Sequence, residues 1–583
     1  MPIKRLAISC LFAFAVFLSS FGGTLRAAGP GFAAMAGEPG AVEAGFRLPP
    51  RSALVPYPSR EEALAGGTSS YVIPLEEWQR DSVPEGVRYT ARFKVRYAWD
   101  NRAVLLRVED VPSSFGIEVN GEAAGYSQAG MGRTEFDITD FIRQDYNTVS
   151  VIVCEAPAAR RIGEGRGRDA ESWRGRAWVL SQPSVRIHDL FAETSVDGGY
   201  GYVALDIVMQ SILLNPKEYT VCYELLDPKG EVVAMSQKDI VTGMLSRDTV
   251  RFTVRIPDPL VWNHETPNLY TLLVRSRNEG RFVENAAVRV GFRTPGTSDG
   301  VFLIDGLPVG LYAVRYAMGG DEGAAATELA RFKAEGYNCI VADGTPQPDC
   351  FYALCDSLGL YVCDAADINT SREPAQRSSA PYMARITVGG NPSNAPEWKD
   401  AYIDRIHRMY YASHLHPSVV MYAPAHDSRN GYCLYESYVE LKRLAPGVPV
   451  FYDGAGGEWN SDMDAAALFR HPDAVRPAGR LSVTMERDGL DEVVVANNME
   501  LTSARGTYRV VLKSGVKSLW TASGEFRLMG GGALHIPVPV PEGVRRGSVQ
   551  VEVHLLKDIS SQGAGQGGKV SDMYDVLKMK FPL

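Results

Sequence analysis

The segment HPSVVMYAPAHDSRNG, residues 416–431, sets three reactive side chains just after a short apolar run. Val419 to Tyr422 has the pattern of a buried strand, and His426, Asp427 and Ser428 follow in a polar turn. A strand that delivers an imidazole and a carboxylate to its C-terminal end has the layout of an α/β-barrel rim, where active sites are built. Asp343, Asp364, Asp367, Asp453 and Glu458 also fall at or shortly after strand-like runs. Gathered at one face, such carboxylates would form an acidic sugar site, a cation site or a hydrolytic acid/base pair. The plainer alternative is a charged, solvated rim, with His426 as one of its hydrogen-bonded members. Tyr312, Tyr316 and Tyr422 offer rings on which a sugar could stack, although packing is the commoner fate of such side chains.

These residues depend on a longer arrangement of elements. Residues 1–28 read as a signal peptide: Lys4 and Arg5, then LAISCLFAFAVFLSS, with cleavage after Ala27 or Ala28, or after Ala36. Residues 45–190 alternate as short strands around the hairpin dipeptide Asn120-Gly121. The Arg- and Gly-rich piece ARRIGEGRGRDAESWRGRAW interrupts them and reads as a long exposed loop. Residues 191–296 hold about seven strands, as an immunoglobulin-like sandwich would. From 297 to 475 strands and helices alternate, which predicts a parallel sheet or barrel. That stretch is short for a closed eight-stranded barrel, which takes ~250 residues. Residues 476–583 return to strands and predict a C-terminal β-sandwich, with SSQGAGQGG as a flexible loop. The expected fold class is multidomain β plus α/β: jelly-roll, immunoglobulin-like sandwich, truncated (β/α) barrel and C-terminal sandwich.

The 583 residues carry a net charge of −9, which gives no electrostatic case for nucleic acid or an anionic membrane. Beyond the leader no run of ~20 apolar residues predicts a transmembrane span. Seven cysteines follow Cys10 without a C-x₂-C pair, which disfavours zinc. Cys154, Cys222, Cys339 and Cys363 lie in apolar runs and read as core residues. A secreted or periplasmic location is the expectation.

Several motifs, in order, resemble glycoside hydrolase family 2, the family of β-galactosidases, β-glucuronidases and β-mannosidases. VNGEAAGYSQ followed by TEFDITDFIRQDYNTVSVIV resembles its sugar-binding jelly-roll. WNHETPNLYTLLV and VGFR resemble the exit of its immunoglobulin-like domain, and FLIDGLPV its barrel entrance. LCDSLGLYVCDAADI and HPSVVMY resemble two later barrel segments, most like the β-galactosidase branch.

The resemblance implies retaining hydrolysis of β-glycosides by two carboxyl groups ~5–5.5 Å apart. Its acid/base Glu, within an Asn-Glu pair, corresponds to His426-Asp427, so the carboxyl is one methylene shorter. A retraction of roughly 1 Å can itself cost ~100-fold. The family's polar first-strand cluster corresponds to Tyr312, Arg315, Tyr316 and Ala317, and its second-strand Arg and His to Val341 and Gly344. Its magnesium-binding Glu and His correspond to Asn369 and Ser371, so the family metal site is expected to be lost, with no cofactor. A sugar-contacting Asp of the jelly-roll corresponds to Glu171, just before Trp173. The nucleophile belongs near the seventh strand, and this chain turns to its last β-region before such a segment. The expected function is binding of, or weak action on, β-linked carbohydrate. Asp427 and His426 are the catalytic candidates; Glu171, Trp173, Asp343, Asp364, Asp367 and Tyr422 are the substrate-binding ones. One alternative is an active glycosidase in which Asp427 works with a recruited carboxylate such as Asp453 or Glu458. Another is a structural or partner-binding protein, since a barrel lacking strands exposes an edge that the last domain, a second copy or another chain would cover.

Overall fold

Asn120 and Gly121 adopt φ of 52° and 84°, the positive values that a two-residue hairpin turn demands. They join two strands of a six-stranded sheet that faces a four-stranded one in a computed structural model of the chain. The structure describes residues 31–155, 157–163, 170–342, 346–371, 391–454, 457–463, 481–486, 491–501, 504–541, 550–558 and 574–582. The leader and the SSQGAGQGG segment lie outside these residues. Strand alternation fills the space between the two sheets, as in Gly86–Lys94, whose inward residues Val87, Tyr89, Ala91 and Phe93 are buried. A short helix, Phe32–Gly37, lies on the outer side of the larger sheet. Its Phe32 ring occupies the space that a Cβ on Gly116 would need.

Strand Val185–Asp197 opens the second domain, so the change of sheet falls a few residues before the boundary drawn at 190. Its three- and four-stranded sheets bring seven strands together, as the spacing predicted. A small three-stranded unit over residues 295–308 then leads into the α/β region.

There, Ala313–Tyr316, Cys339–Ala342, Tyr361–Ala365 and Val419–Ala423 pair in parallel and in sequence order. Helices Glu322–Ala334, Asp349–Leu358, Lys399–Ser413 and Tyr432–Leu444 alternate with them. The second helix ends at Gly359, whose φ of 67° supplies the left-handed cap. VPVFYDG, expected as a further strand, joins through a single parallel bridge between Tyr422 and Val450. The chain then passes to an antiparallel sandwich that starts at Leu481 and includes Tyr574–Pro582. The described part of the barrel thus has four ladder-paired strands and a fifth attached by one bridge.

One finding departs from the sequence expectations, and a second bears on one of the alternatives. The Arg- and Gly-rich insertion is not simply an exposed loop: Pro157–Ile162 is helical, and Ala158 and Ile162 are buried in the barrel's outer core. The apolar pair at i and i+4 gives this helix its buried side. The last domain also reaches the barrel: Leu501 packs on the interior cluster, and its N–H donates to Glu265 at 3.1 Å.

Candidate carbohydrate site at the barrel mouth

Successive side chains of a strand face opposite ways, and this parity sorts the candidate residues. Ala313, Val341, Cys363, Ala365, Met421, Ala423 and Phe451 pack inward with Trp262, Phe302 and Ile304. Ile340, Val362, Tyr422, Val450 and Tyr452 pack outward beneath the helices. Tyr422 therefore meets the Tyr410 ring at 5.8 Å rather than a substrate. Asp364 shares that outward direction. Fully buried, it accepts a hydrogen bond from the Tyr352 hydroxyl at 3.0 Å, and burial raises its carboxyl to about 6. Neither residue belongs to the mouth, which corrects both expectations. Tyr316 also faces outward, against Phe332 and Phe351.

Arg315 comes from the first strand and faces the interior. Its Nη1 donates to His426 Nδ1 at 3.0 Å, and its Nη2 forms an ion pair with Asp453. A guanidinium only donates, so Nδ1 of His426 accepts and the imidazole proton resides on Nε2. This ion pair links strands at the two ends of the parallel sheet, so the sheet curls strongly and the three side chains span its concave side. Both partners of the ion pair stay partly exposed, at 35% and 27%.

Asp427 is the exposed carboxylate beside them. Its φ of 44° is left-handed, a conformation uncommon outside glycine but tolerated by Asp. The loop is held from below. Asp427 accepts the N–H of Ser371 through its carbonyl at 3.1 Å, and His426 donates its N–H to Ile368 at 2.8 Å. Buried hydroxyls of Thr370, Ser393, Ser428 and Tyr402 form a chain, with Thr370 and Ser428 2.6 Å apart. Tyr452 donates to the Ser428 carbonyl at 2.6 Å and accepts its N–H at 3.0 Å. Burial raises the Tyr452 phenol further, and both Asp427 and Asp453 add to that shift, so the two carboxylates act on one hydroxyl.

The other candidates separate. Asp367 is buried, with its carboxylate 4.0 Å from Arg405 and facing Gly163 after the insertion helix. Glu171 is exposed and paired with Arg80 at 2.8 Å, on its own domain. Trp173 is jelly-roll core: it packs edge-on against Trp78 and Tyr89, and its indole donates to the Glu109 carbonyl at 2.9 Å. The neighbouring Arg174 is the residue that reaches the barrel, since its guanidinium lies 3.0 Å from where a Cβ on Gly320 would sit. Asp343, Gly344 and the side chain of Glu458 fall outside the described residues. At the family's magnesium position, Asn369 Oδ1 already accepts the N–H and hydroxyl of Ser371, at 3.0 and 2.7 Å. An amide oxygen committed to its own turn, beside a hydroxyl, does not fit a hard divalent cation that favours carboxylates.

Two descriptions of one family match the chain: "Glycosyl hydrolases family 2" over residues 185–293, and its TIM barrel domain over residues 321–472. The chain is 26% identical over 384 residues to a β-galactosidase of Priestia megaterium, covering 63% of this chain and 36% of the relative. It is 29% identical over 371 residues to a β-galactosidase of Photobacterium profundum, covering 60% and 34%. The matched part therefore spans about a third of these relatives' length. Among solved structures, the β-D-glucuronidase of Dictyoglomus thermophilum aligns with a TM-score of 0.53 at 16% identity, covering 68% of this chain and 75% of that one. A β-D-mannosidase of the same organism aligns at 0.52 and 12%, covering 83% and 87%. These likenesses establish the shared multidomain fold. In both its sandwich and its barrel segments, the chain is similar to glycosyl hydrolase family 2.

Proposed function

We propose that this protein binds β-linked carbohydrate at the barrel mouth and hydrolyses it weakly or not at all. The observation that carries this reading is Arg315, whose guanidinium engages both Asp453 and the imidazole beside Asp427. Retaining hydrolysis needs one carboxyl to protonate the leaving oxygen and a second, free carboxylate to attack C1. Asp427 is exposed, which leaves its carboxyl open to the first role. Asp453 is the carboxylate on hand for the second, and its charge is already balanced by Arg315. Attack on a sugar would require that contact to break. The leader sequence supports export, and the wider family supports a role in using polysaccharides.

A second reading is an active glycosidase in which Asp427 is the acid/base and Asp453 its recruited partner. It is favoured by the two hydrogen bonds between Tyr452 and Ser428, which tie together the chain neighbours of Asp453 and Asp427. The deciding experiment supplies the purified chain with nitrophenyl β-galactoside, β-glucuronide and β-mannoside, and measures sugar binding by calorimetry on the same preparation. Binding without nitrophenol release, lost in Asp427→Ala, supports the first reading. Release abolished by Asp427→Ala overturns it in favour of the second. Neither binding nor release, with a dimer or larger assembly by light scattering, removes both and leaves a structural role.

A further inference from the structure

The jelly-roll carries a second hollow that the barrel chemistry does not use. A cleft of about 720 Å³ opens at its junction with the second domain, lined by Lys94, Arg96, Tyr97, Arg102 and Arg143 and, across the junction, Leu213. Its volume lies in the usual range for small-molecule sites. Tyr97 is 92% exposed, so its ring does no packing work. It is nevertheless well anchored. It begins a single 3-10 turn, Tyr97–Trp99, whose last residue is buried in the jelly-roll core. A ring held out on a fixed base offers a face for the C–H side of a sugar.

The charge of the cleft opposes that of the chain. Four cations line it against one carboxylate, Asp100, in a protein of net charge −9. Lys94 is paired with Asp145 at 3.2 Å, Arg96 donates to the Ser70 carbonyl at 2.6 Å, and Arg102 donates to the Ser181 hydroxyl at 2.8 Å. The Arg143 side chain has no hydrogen-bond or ion-pair partner among the described residues and is exposed. A planar fork of donors without an acceptor suits a carboxylate. We propose that this cleft binds an acidic, uronate-bearing oligosaccharide, with Tyr97 under one ring and Arg143 on a carboxylate. A polyphosphate is the poorer fit, because its binding calls for a longer cationic track than this one.

The test is affinity electrophoresis of the full chain in gels containing polygalacturonate, neutral galactan or oligodeoxythymidylate. Expected is retardation by polygalacturonate that weakens with added salt, and about tenfold weaker binding in Tyr97→Ala and in Arg143→Glu. Both positions are exposed, so unchanged melting temperatures confirm that the variants fold. Asp427→Ala should leave this retardation intact, which separates the cleft from the barrel mouth. Equal retardation of the Asp427→Ala chain by galactan, tighter binding to oligodeoxythymidylate, unaltered binding in both variants, or no retardation of the unaltered chain would each overturn the proposal.

Discussion

Arginine meets carboxylate in two very different settings here. Where the jelly-roll meets the barrel, Arg51 and Arg107 close on Glu135 within the jelly-roll, and Arg47 reaches Asp404 of the barrel at 2.6 Å, all with side chains under a tenth exposed. Arg133, Arg405 and Arg408 complete that layer through carbonyls and a hydroxyl: Arg51 and Ala401 oxygens at 2.9 Å, Thr134 Oγ1 at 2.6 Å. At the barrel mouth, Arg315 joins His426 and Asp453 in partial contact with water. The pairing chemistry is the same, but the desolvation is not. A buried ion that loses its partner keeps the whole cost of burial, whereas an exposed one turns to water. The interface is thus built to hold two domains in one relation, and the mouth is built from contacts that a ligand can displace.

The largest effect should follow loss of Glu135, whose carboxyl Arg51 and Arg107 hold far below its ordinary range. Glu135→Ala strands cationic groups and should lower unfolding free energy by about 3–5 kcal/mol, read by urea titration. A value near that of an exposed pair would erase the contrast drawn above. Next comes pH. Burial, with His416 and Arg133 nearby, pushes His414 down to about 3, and the imidazole bonds Ser52 Oγ at 2.8 Å. The folded state therefore keeps His414 neutral while the unfolded chain takes up a proton below about 6.5. This contribution to stability is full above that value and declines as pH falls towards 3. Urea titrations at pH 7 and pH 5 should show a smaller loss for His414→Phe than for the unaltered chain. Ser428→Ala, which breaks the hydroxyl chain beneath the mouth, should cost about 1–3 kcal/mol, and calorimetric unfolding would measure it. The smallest change is expected for Arg315→Ala, below about 1 kcal/mol in the same measurement. A larger loss would show that the mouth pair also holds the curled sheet together.

The order of elements was readable because local signals agreed with one another. Asn120-Gly121, the glycine after Leu358 and the alternation in Gly86–Lys94 each specify a backbone shape by themselves. The mouth was harder to read. Position at a strand end placed Asp364 and Tyr422 there, yet parity turns both beneath the helices. That parity was present in the sequence, where Tyr361, Cys363 and Ala365 make the inward set, but the packed interior had to show which set faced in. Trp173 misled for a related reason: a tryptophan in a sugar-contacting loop is also the largest filler available to a small sandwich core. The hydroxyl network had no signature at all, since Thr370, Ser393 and Ser428 come from separate segments and meet only after folding. Arg315 was noticed as a departure from the family pattern, and its partners emerged only from the curvature of the sheet.

The helix at Phe32–Gly37 bears on the choice between the cleavage sites expected from the sequence. Its Phe32 ring sits against Gly116, and Ala36 is buried beside Tyr126 and Cys154. Processing after residue 27 or 28 would leave this plug in place, whereas a cut following Ala36 would strip it away and uncover a tyrosine and a thiol. The fold thereby buries the residue at the downstream site, and a chain that starts at residue 29 should melt at a higher temperature than one that starts at residue 37.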